Sequence, residues 1–301
     1  MPGRLPEQVR SAFDGALNYL EQIQTPRGCW LGEVKWNTLL LSQYIIVSHI
    51  TSQRISPAER EKFLRYFQAR QTADDGWGMH DESPAYVFMT ALGYVALRLL
   101  GLGAGEEMPR RALQWLRQQG GVLAIPSWGK FWLALLGLYR WEGVNPILPE
   151  LWLLPRWLPF HPSRYYNHTR LIYLGMAYLY GRKFTAQSPL TGALRNELYG
   201  TTFDEIDFSA WRNRVAPSDL YVPASAALKL SVAALRVYER QHSAGWRKRA
   251  LDECFERIVF EVRSTSYASI SPVNGLLNVL ALFDRNHPDL SAACQGVDYW
   301  R

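Results

Sequence analysis

Three observations predict an all-α fold, an α/α barrel of alternating inner and outer helices. The first is a repeat. Residues 16–20 lead to Gln24 and then to Gly28-Cys29-Trp30; Tyr66-Phe67 leads to Gln71 and then to Asp75-Gly76-Trp77. Trp30 and Trp77 stand 47 positions apart, as do Gln24 and Gln71, and Tyr19 and Tyr66. A fixed period of that length marks stacked helical units, none able to bury its own apolar face alone. The second is helical apolar periodicity along most of the chain, broken by turns rich in Gly, Pro and Asp. The third is the weakness of strand signals, since the Val, Ile and Thr runs are short.

Polar-faced outer helices are expected over residues 7–24, 57–71, 109–119 and 244–262. The first carries Val9, Phe13, Leu17 and Leu20 on one helical face. Inner helices are expected over 38–50, 85–100, 130–141, 171–180, 224–238 and 273–283, which are apolar nearly all round, as burial within a ring of helices requires. Residues 110–120, with Ala112, Trp115, Leu116, Gln119 and Gly120, read as a third, degraded copy of the repeat. In each copy the Gln amide, both donor and acceptor, can tie helix ends together, and the indole can seal the joint between neighbours. These repeats read as structural clamps rather than catalytic sites.

The 301 residues, 48% hydrophobic and 20% charged, suffice for one large domain over 1–301. Twelve Trp and sixteen Tyr either fill a wide core or line a cavity. A net charge of +6 suits an anionic membrane surface or nucleic acid. The longest basic run is Arg247-Lys248-Arg249, which argues against nucleic acid. Cys29, Cys254 and Cys294 are widely spaced and lack His at metal-ligand spacing; they read as reduced thiols of a cytoplasmic protein. Met1 to Arg10 is followed by no apolar signal-peptide core, and no apolar stretch reaches the roughly 18 residues needed to span a bilayer.

The repeat resembles the QW motif of the triterpene cyclases, the family of squalene–hopene cyclase and oxidosqualene cyclase. The middle of the chain strengthens the likeness: Ala124-Ile125-Pro126-Ser127-Trp128-Gly129-Lys130-Phe131-Trp132-Leu133-Ala134, Trp141-Glu142-Gly143, Pro149-Glu150-Leu151-Trp152-Leu153-Leu154-Pro155, His161-Pro162-Ser163, Val215-Ala216-Pro217-Ser218-Asp219-Leu220-Tyr221 and Ser269-Ile270-Ser271-Pro272. In order and spacing these resemble sterol-forming oxidosqualene cyclases over nearly the whole chain. The resemblance implies the inserted, N-terminal-half barrel of a two-barrel enzyme. It also implies a partner, an acid-bearing second barrel, either a separate chain or a missing C-terminal half. The family's catalytic Asp, in an Asp-Cys-Thr-Ala-Glu or Asp-x-Asp-Asp sequence, is absent here. Opening an epoxide or protonating an alkene needs a well-placed Brønsted acid. Asp74-Asp75 lies in a QW turn and is expected to be exposed and without a partner that would retune it, so this chain alone is not expected to initiate cyclization.

The resemblance further implies residues facing the substrate, squalene or 2,3-oxidosqualene, with no metal or organic cofactor. Trp128 matches an aromatic of the pocket wall; a desolvated aromatic face stabilises a cation by about 0.5–2 kcal/mol. Unaided by the family, Trp128 reads equally as a packing residue. His168, in Tyr165-Tyr166-Asn167-His168-Thr169-Arg170, matches a cavity histidine that helps to place or quench the final cation; a lone His is otherwise more often a satisfied core residue. Tyr166 stands where sterol-forming members carry Trp. Ile270 and Pro272 match a loop bordering the pocket, and otherwise read as an ordinary turn. Val34, within Glu33-Val34-Lys35-Trp36-Asn37, replaces a Tyr that shapes the substrate fold. Leu151, Trp152, Leu153, Leu154, Trp157, Leu158 and Phe160 form a short, Pro-broken apolar segment with Arg156, suited to the headgroup level of a bilayer and similar to the family's monotopic membrane plateau. The site thus comprises candidate cation-stabilising or deprotonating groups (His168, Trp128, Tyr166), substrate contacts (Trp128, Tyr165, Tyr166, His168, Ile270, Pro272, Val34) and a membrane-contact segment. Two other readings compete: a non-catalytic, membrane-associated isoprenoid- or sterol-binding protein, and a prenyltransferase-like barrel. The second would need a zinc site of Asp, Cys and His that the sequence does not lay out.

Overall fold

Apolar periodicity becomes helix almost everywhere it was expected. The computed structural model describes residues 6–26, 28–30, 37–80 and 82–298, and contains α-helices, 3₁₀ turns and one isolated bridge between Gly78 and Ala85, with no strand among the described residues. The chain divides into two compact units, residues 1–36 and 37–301, where one domain was the expectation. The first holds α1 (Glu7–Ile23) and the turn that follows it. The second holds α2 (Thr38–Ile50), α3 (Pro57–Arg70), α4 (Val87–Leu99), α5 (Glu107–Gln118), α6 (Ser127–Leu135), α7 (Asn167–Arg182), α8 (Thr191–Leu198), α9 (Ala226–Gln241), α10 (Ala244–Ser264), α11 (Pro272–Asp284) and α12 (Leu290–Val297).

Within the larger unit α6, α4, α2, α11 and α7 pack in that order as the inner wall. Their directions follow from contacts at their ends. His168 and Ser271 meet at the starts of α7 and α11, and Phe184, just past α7, meets Phe283, in the last turn of α11, edge to face with centroids 6.4 Å apart. The wall is closed between α6 and α7 by Trp141, whose indole lies edge-on to Phe131 at 5.6 Å and to Tyr180 at 5.7 Å. Outside, α3 packs on α2, α5 on α4, and α10 on α7 and α11. At the start of α3, Arg60 Nε donates to the carbonyl of Leu100 just past the end of α4, at 2.6 Å, so outer and inner helices run in opposite directions.

The repeat explains how an outer helix is tied to the next inner one. In the second copy Gln71 Nε2 donates to the Asp75 carbonyl (2.9 Å), Thr72 Oγ1 to that of Gly76 (3.0 Å), and Trp77 Nε1 to that of Phe67 near the end of α3 (2.9 Å). The Trp77 backbone N–H then donates to Thr90 Oγ1 on α4, at 2.9 Å. The first copy, in its own unit, repeats the scheme at the same offset: Gln24 to Gly28, Thr25 to Cys29, and Trp30 to Leu20 at 2.7 Å. The turn needs one left-handed residue, supplied by Gly28 (φ 77°) and by Asp75 (φ 75°). Trp77 and Phe67 are fully buried and meet edge to face at 5.6 Å. Gly93 on α4 makes room, since a Cβ there would lie 2.9 Å from the Trp77 ring. The third copy has lost the clamp: α5 ends through Gly120 and Gly121, both at positive φ, with the Gly121 N–H on the Leu116 carbonyl at 2.8 Å.

Three expectations are corrected. The inner helix expected over 130–141 runs from Ser127 to Leu135, because Gly137 adopts φ 67° and Leu138 N–H closes on the Leu133 carbonyl at 2.8 Å. The segment expected as the inner helix 224–238 is α9, which has no buried residue and exposes Leu228, Leu230 and Val237. The short helices α8 and α12 were not foreseen. α8 is anchored by Glu197, which accepts from Tyr94 (2.7 Å) and from Arg98 Nε and Nη2 (3.0 and 2.9 Å). Elsewhere the expected helices shift by a few residues at most: Glu107 starts α5 two positions early, and Asn167 starts α7 four early.

The long stretch between α8 and α9 is held by two side chains. Lys130, fully buried, donates from Nζ to the carbonyls of Trp211 (2.5 Å), Arg212 and Arg214 (both 3.0 Å). Burial, with the Arg212 charge adding to it, pushes the Lys130 ammonium down to about 8. Asp219 accepts from the first backbone N–H groups of α4, at Val87 and Phe88, both at 2.8 Å. Replacing Trp77 with Ala is expected to lower the unfolding free energy by about 3–5 kcal/mol in urea titrations. Trp77→Phe, which keeps a ring but orphans the Phe67 carbonyl, is expected to cost about 1–2 kcal/mol.

Candidate cavity site

The residues singled out by sequence fall at the N-terminal ends of inner helices. Trp128 lies in the first turn of α6, Tyr165 and Tyr166 just before α7, His168 in its first turn, and Ile270 and Pro272 at the start of α11. The structure brings part of this set together. His168 Nε2 lies 2.8 Å from Ser271 Oγ, and Ser271 is the N-cap of α11, between Ile270 and Pro272. Pro272 is buried as the first residue of that helix, whereas Ile270 is 45% exposed. Tyr165 is half-buried, its hydroxyl donating to the Phe160 carbonyl at 3.0 Å and its ring edge-on to Tyr173 at 5.7 Å. Tyr166 is 77% exposed as the N-cap of α7. Val34 lies outside the described residues.

Trp128 stands on α6 and is held by α2 rather than by the α7–α11 junction. With the Gln43 amide oriented so that its oxygen faces the two indoles, Gln43 Oε1 accepts from Trp128 Nε1 at 3.1 Å and from Trp132 Nε1 at 3.0 Å. Gln43 is fully buried on α2, so this pair of bonds fixes Trp128 against the neighbouring inner helix. In the sequence Gln43 interrupts the apolar run of residues 39–50. Its signal was that break: a buried amide persists in an apolar helix only with partners.

Behind His168 runs a polar chain that the sequence did not reveal. Ser271 Oγ and its backbone N–H donate to Asn274 Oδ1 at 3.0 and 2.8 Å, a capping box. Asn274 Nδ2 in turn donates to Glu261 Oε1 at 3.0 Å, and Asn278 Nδ2 donates to Oε2. Because Ser271 gives its own proton to Asn274, its oxygen accepts from His168, which places a proton on Nε2 and leaves Nδ1 free to accept. Glu261 is buried on α10. Burial raises its pKa, outweighing the downward pull of Asn274, Asn278 and the Ile270 N–H.

Asp75 Oδ1 accepts from Arg111 Nε at 2.6 Å. One other expectation needs correction. Within the segment expected to contact a membrane, Trp152 is buried, edge-on to His161 at 6.2 Å and covered by the Arg257 guanidinium at 4.9 Å, so it belongs to the core. Trp157 and Phe160 are exposed, at 72% and 50%, while Leu151, Leu153, Leu154 and Leu158 are half-buried.

Residues 13–301 match the family model of the squalene-hopene cyclase N-terminal domain. This chain belongs to that family. Its curated relatives include human lanosterol synthase, 43% identical over 277 residues that cover 91% of this chain and 38% of that protein. Lanosterol synthase of Pneumocystis carinii is 40% identical, over 95% of this chain and 41% of that protein. Cycloartenol synthase of Dictyostelium discoideum is 38% identical, over 94% and 40%. The chain thus spans about two fifths of the length of the curated relatives it matches. As a cyclase N-terminal domain it carries the all-α barrel architecture and the QW clamps expected of that family.

A pH dependence follows from Glu261. Its folded-state pKa lies above the unfolded one, so the stability it contributes is complete below the ordinary carboxyl value of 4.5 and is lost as pH rises through the higher folded value. Urea unfolding between about pH 4 and about pH 8 is expected to show this loss in the unmodified chain and a flatter profile in Glu261→Gln. Equal slopes would remove Glu261 as the source.

Proposed function

We propose that this chain forms one wall of a cavity in which squalene or 2,3-oxidosqualene is cyclized, and that a second, acid-bearing barrel supplies the initiating proton. The observation that carries this reading is the junction of α7 and α11, where His168 is held by Ser271 beside Pro272 in a chain of the cyclase family. Names of the relatives support the substrate class, since they are lanosterol and cycloartenol synthases. His168, with Nε2 bound to Ser271 and Nδ1 free, acts as a base or dipole near the end of the carbocation cascade. Trp128, pinned by Gln43, offers an aromatic face to a cation.

The test is a product assay by gas chromatography–mass spectrometry. Purified chain in detergent receives squalene or 2,3-oxidosqualene, alone and together with a protein carrying the family's acid motif. Cyclized product is expected only in the paired reaction, and His168→Ala is expected to lower its yield or change the product. Product from the chain alone would overturn the division of labour. Retained but unconverted substrate in both reactions would favour a non-catalytic isoprenoid- or sterol-binding protein.

The protein is further proposed to sit on the cytoplasmic face of a membrane without crossing it. No helix among the described residues is long and apolar enough to span a bilayer, and the support for surface contact is the exposure of Trp157 and Phe160 beside Arg156. Trp157→Ala with Phe160→Ala is expected to weaken co-sedimentation with phospholipid vesicles about tenfold or more. Unchanged binding would rule out this segment as the contact.

A further inference from the structure

A cleft of about 590 Å³ opens between the Trp141–Gly143 turn, the end of α7, the Phe208–Trp211 turn and α9. Neither His168 nor Trp128 lines it, and its charges do not balance. On one side the balance is closed: Glu239 accepts from Lys183 Nζ at 2.9 Å and from Arg247 Nη2 at 2.7 Å, and Arg247 Nε donates to Glu150 at 2.5 Å. Two cations there meet two carboxylates. The remaining charged groups on the cleft wall are Arg212, Arg236 and Arg240, facing a single carboxylate, Glu142.

The three guanidinium groups converge from two elements. Arg236 and Arg240 are one helical turn apart on α9, hence on one face. Neither makes an ion pair among the described residues. Arg212 donates from Nη2 to the Glu142 carbonyl, while its Nε is buried without a hydrogen-bond partner. Burial first, and then the charges of Arg236 and Arg240, hold the Arg212 pKa below its ordinary value. Like charges brought together in a partly desolvated cleft are stable only when an anion shares the space. The floor is rigid and aromatic: Trp141 Nε1 is tied to Thr185 Oγ1 at 3.0 Å, and the Lys183 ammonium lies 3.2 Å above the Tyr180 ring.

We propose that this cleft is a binding site for a phosphate-bearing anion, with Arg212, Arg236 and Arg240 as its ligands. Guanidinium forks match phosphate oxygens two at a time, an excess of two positive charges suits a phosphate dianion, and the volume is that of a small-molecule site. The phosphate comes either from a soluble ester or diphosphate or from a phospholipid headgroup. This assignment stands apart from the cyclization reading and does not depend on it.

Calorimetric titration of the full chain with inorganic diphosphate at low salt tests the site. Saturable binding is expected, weakened about tenfold or more in Arg236→Gln/Arg240→Gln and unchanged in Lys62→Gln/Arg65→Gln, which removes the same charge from α3. Both double variants change exposed or cleft-edge residues, and melting without ligand checks that they fold. In the second arm, phosphatidylcholine vesicles with and without phosphatidic acid are added. A headgroup source is indicated if phosphatidic acid displaces diphosphate and the α9 variant loses recruitment. A soluble source is indicated if diphosphate binds as above while both proteins sediment equally with the vesicles. No binding of diphosphate, or equal weakening in both double variants, would overturn the proposal.

Discussion

In an α/α barrel every outer helix ends where the next inner helix must begin, and the two ends bring unpaired backbone groups to the same rim. The last carbonyls of the outer helix have no partner in their own helix, and neither do the first N–H groups of the inner one. In this chain the Gln–Trp turn meets both needs. Trp77 gives its indole N–H to the end of α3 and its backbone N–H to Thr90 on α4, while Gln71 braces the turn between them. The bulk of the indole then decides what α4 can place opposite it, which is why Gly93 stands there. The inner ring takes its register from this joint, and the ends of α6, α7 and α11, where the candidate site lies, take theirs from the ring.

Away from the repeats, the same problem is met by single polar residues placed in apolar surroundings. Asp219 takes the first N–H groups of α4, and Ser271 and Asn274 cap α11. Lys130 gathers three carbonyls from a segment with no regular structure. An ammonium in that position compensates its burial only through those acceptors, so the helix and the distant segment are ordered together. The Gln43 oxygen does likewise for two indoles. These contacts stiffen the wall that a cavity needs, and they do so with groups unavailable for chemistry.

How much of this was legible in the sequence varied with how local the cause is. The clamp at 71–77 was legible, because its spacing is repeated at 24–30 and each residue type has one evident use. The limits of α2 were legible from the apolar run over 38–50, which the structure shows capped by Asn37. The end of α6 was not: Gly137 in a left-handed conformation stops it inside a run that is apolar on both sides. α9 misled because its apolar residues are as frequent as those of a buried helix, yet it lies at the surface. The link from His168 to Glu261 joins residues 93 positions apart through two side chains on a third element, and no local pattern encodes it. The family likeness pointed to His168, but not to what holds it.

The carboxyl groups decide what this domain can do by itself. An epoxide or alkene is protonated by an acid that is both neutral at the moment of reaction and eager to lose its proton. Glu239 is bound to Arg247 and Lys183, which hold its pKa below the ordinary carboxyl value despite its burial. Asp289 is held low in the same way by Arg263, and Asp252 by Arg285 and Lys248. Glu261 has the opposite defect: burial raises its pKa, which makes it a weaker acid, and its oxygens face N–H donors rather than open space. Each of these buried or paired carboxyls thus fails one of the two requirements. On the proposed reading, the domain shapes a hydrocarbon and steadies its cations, and the initiating proton comes from a carboxyl set in different surroundings, in the second barrel.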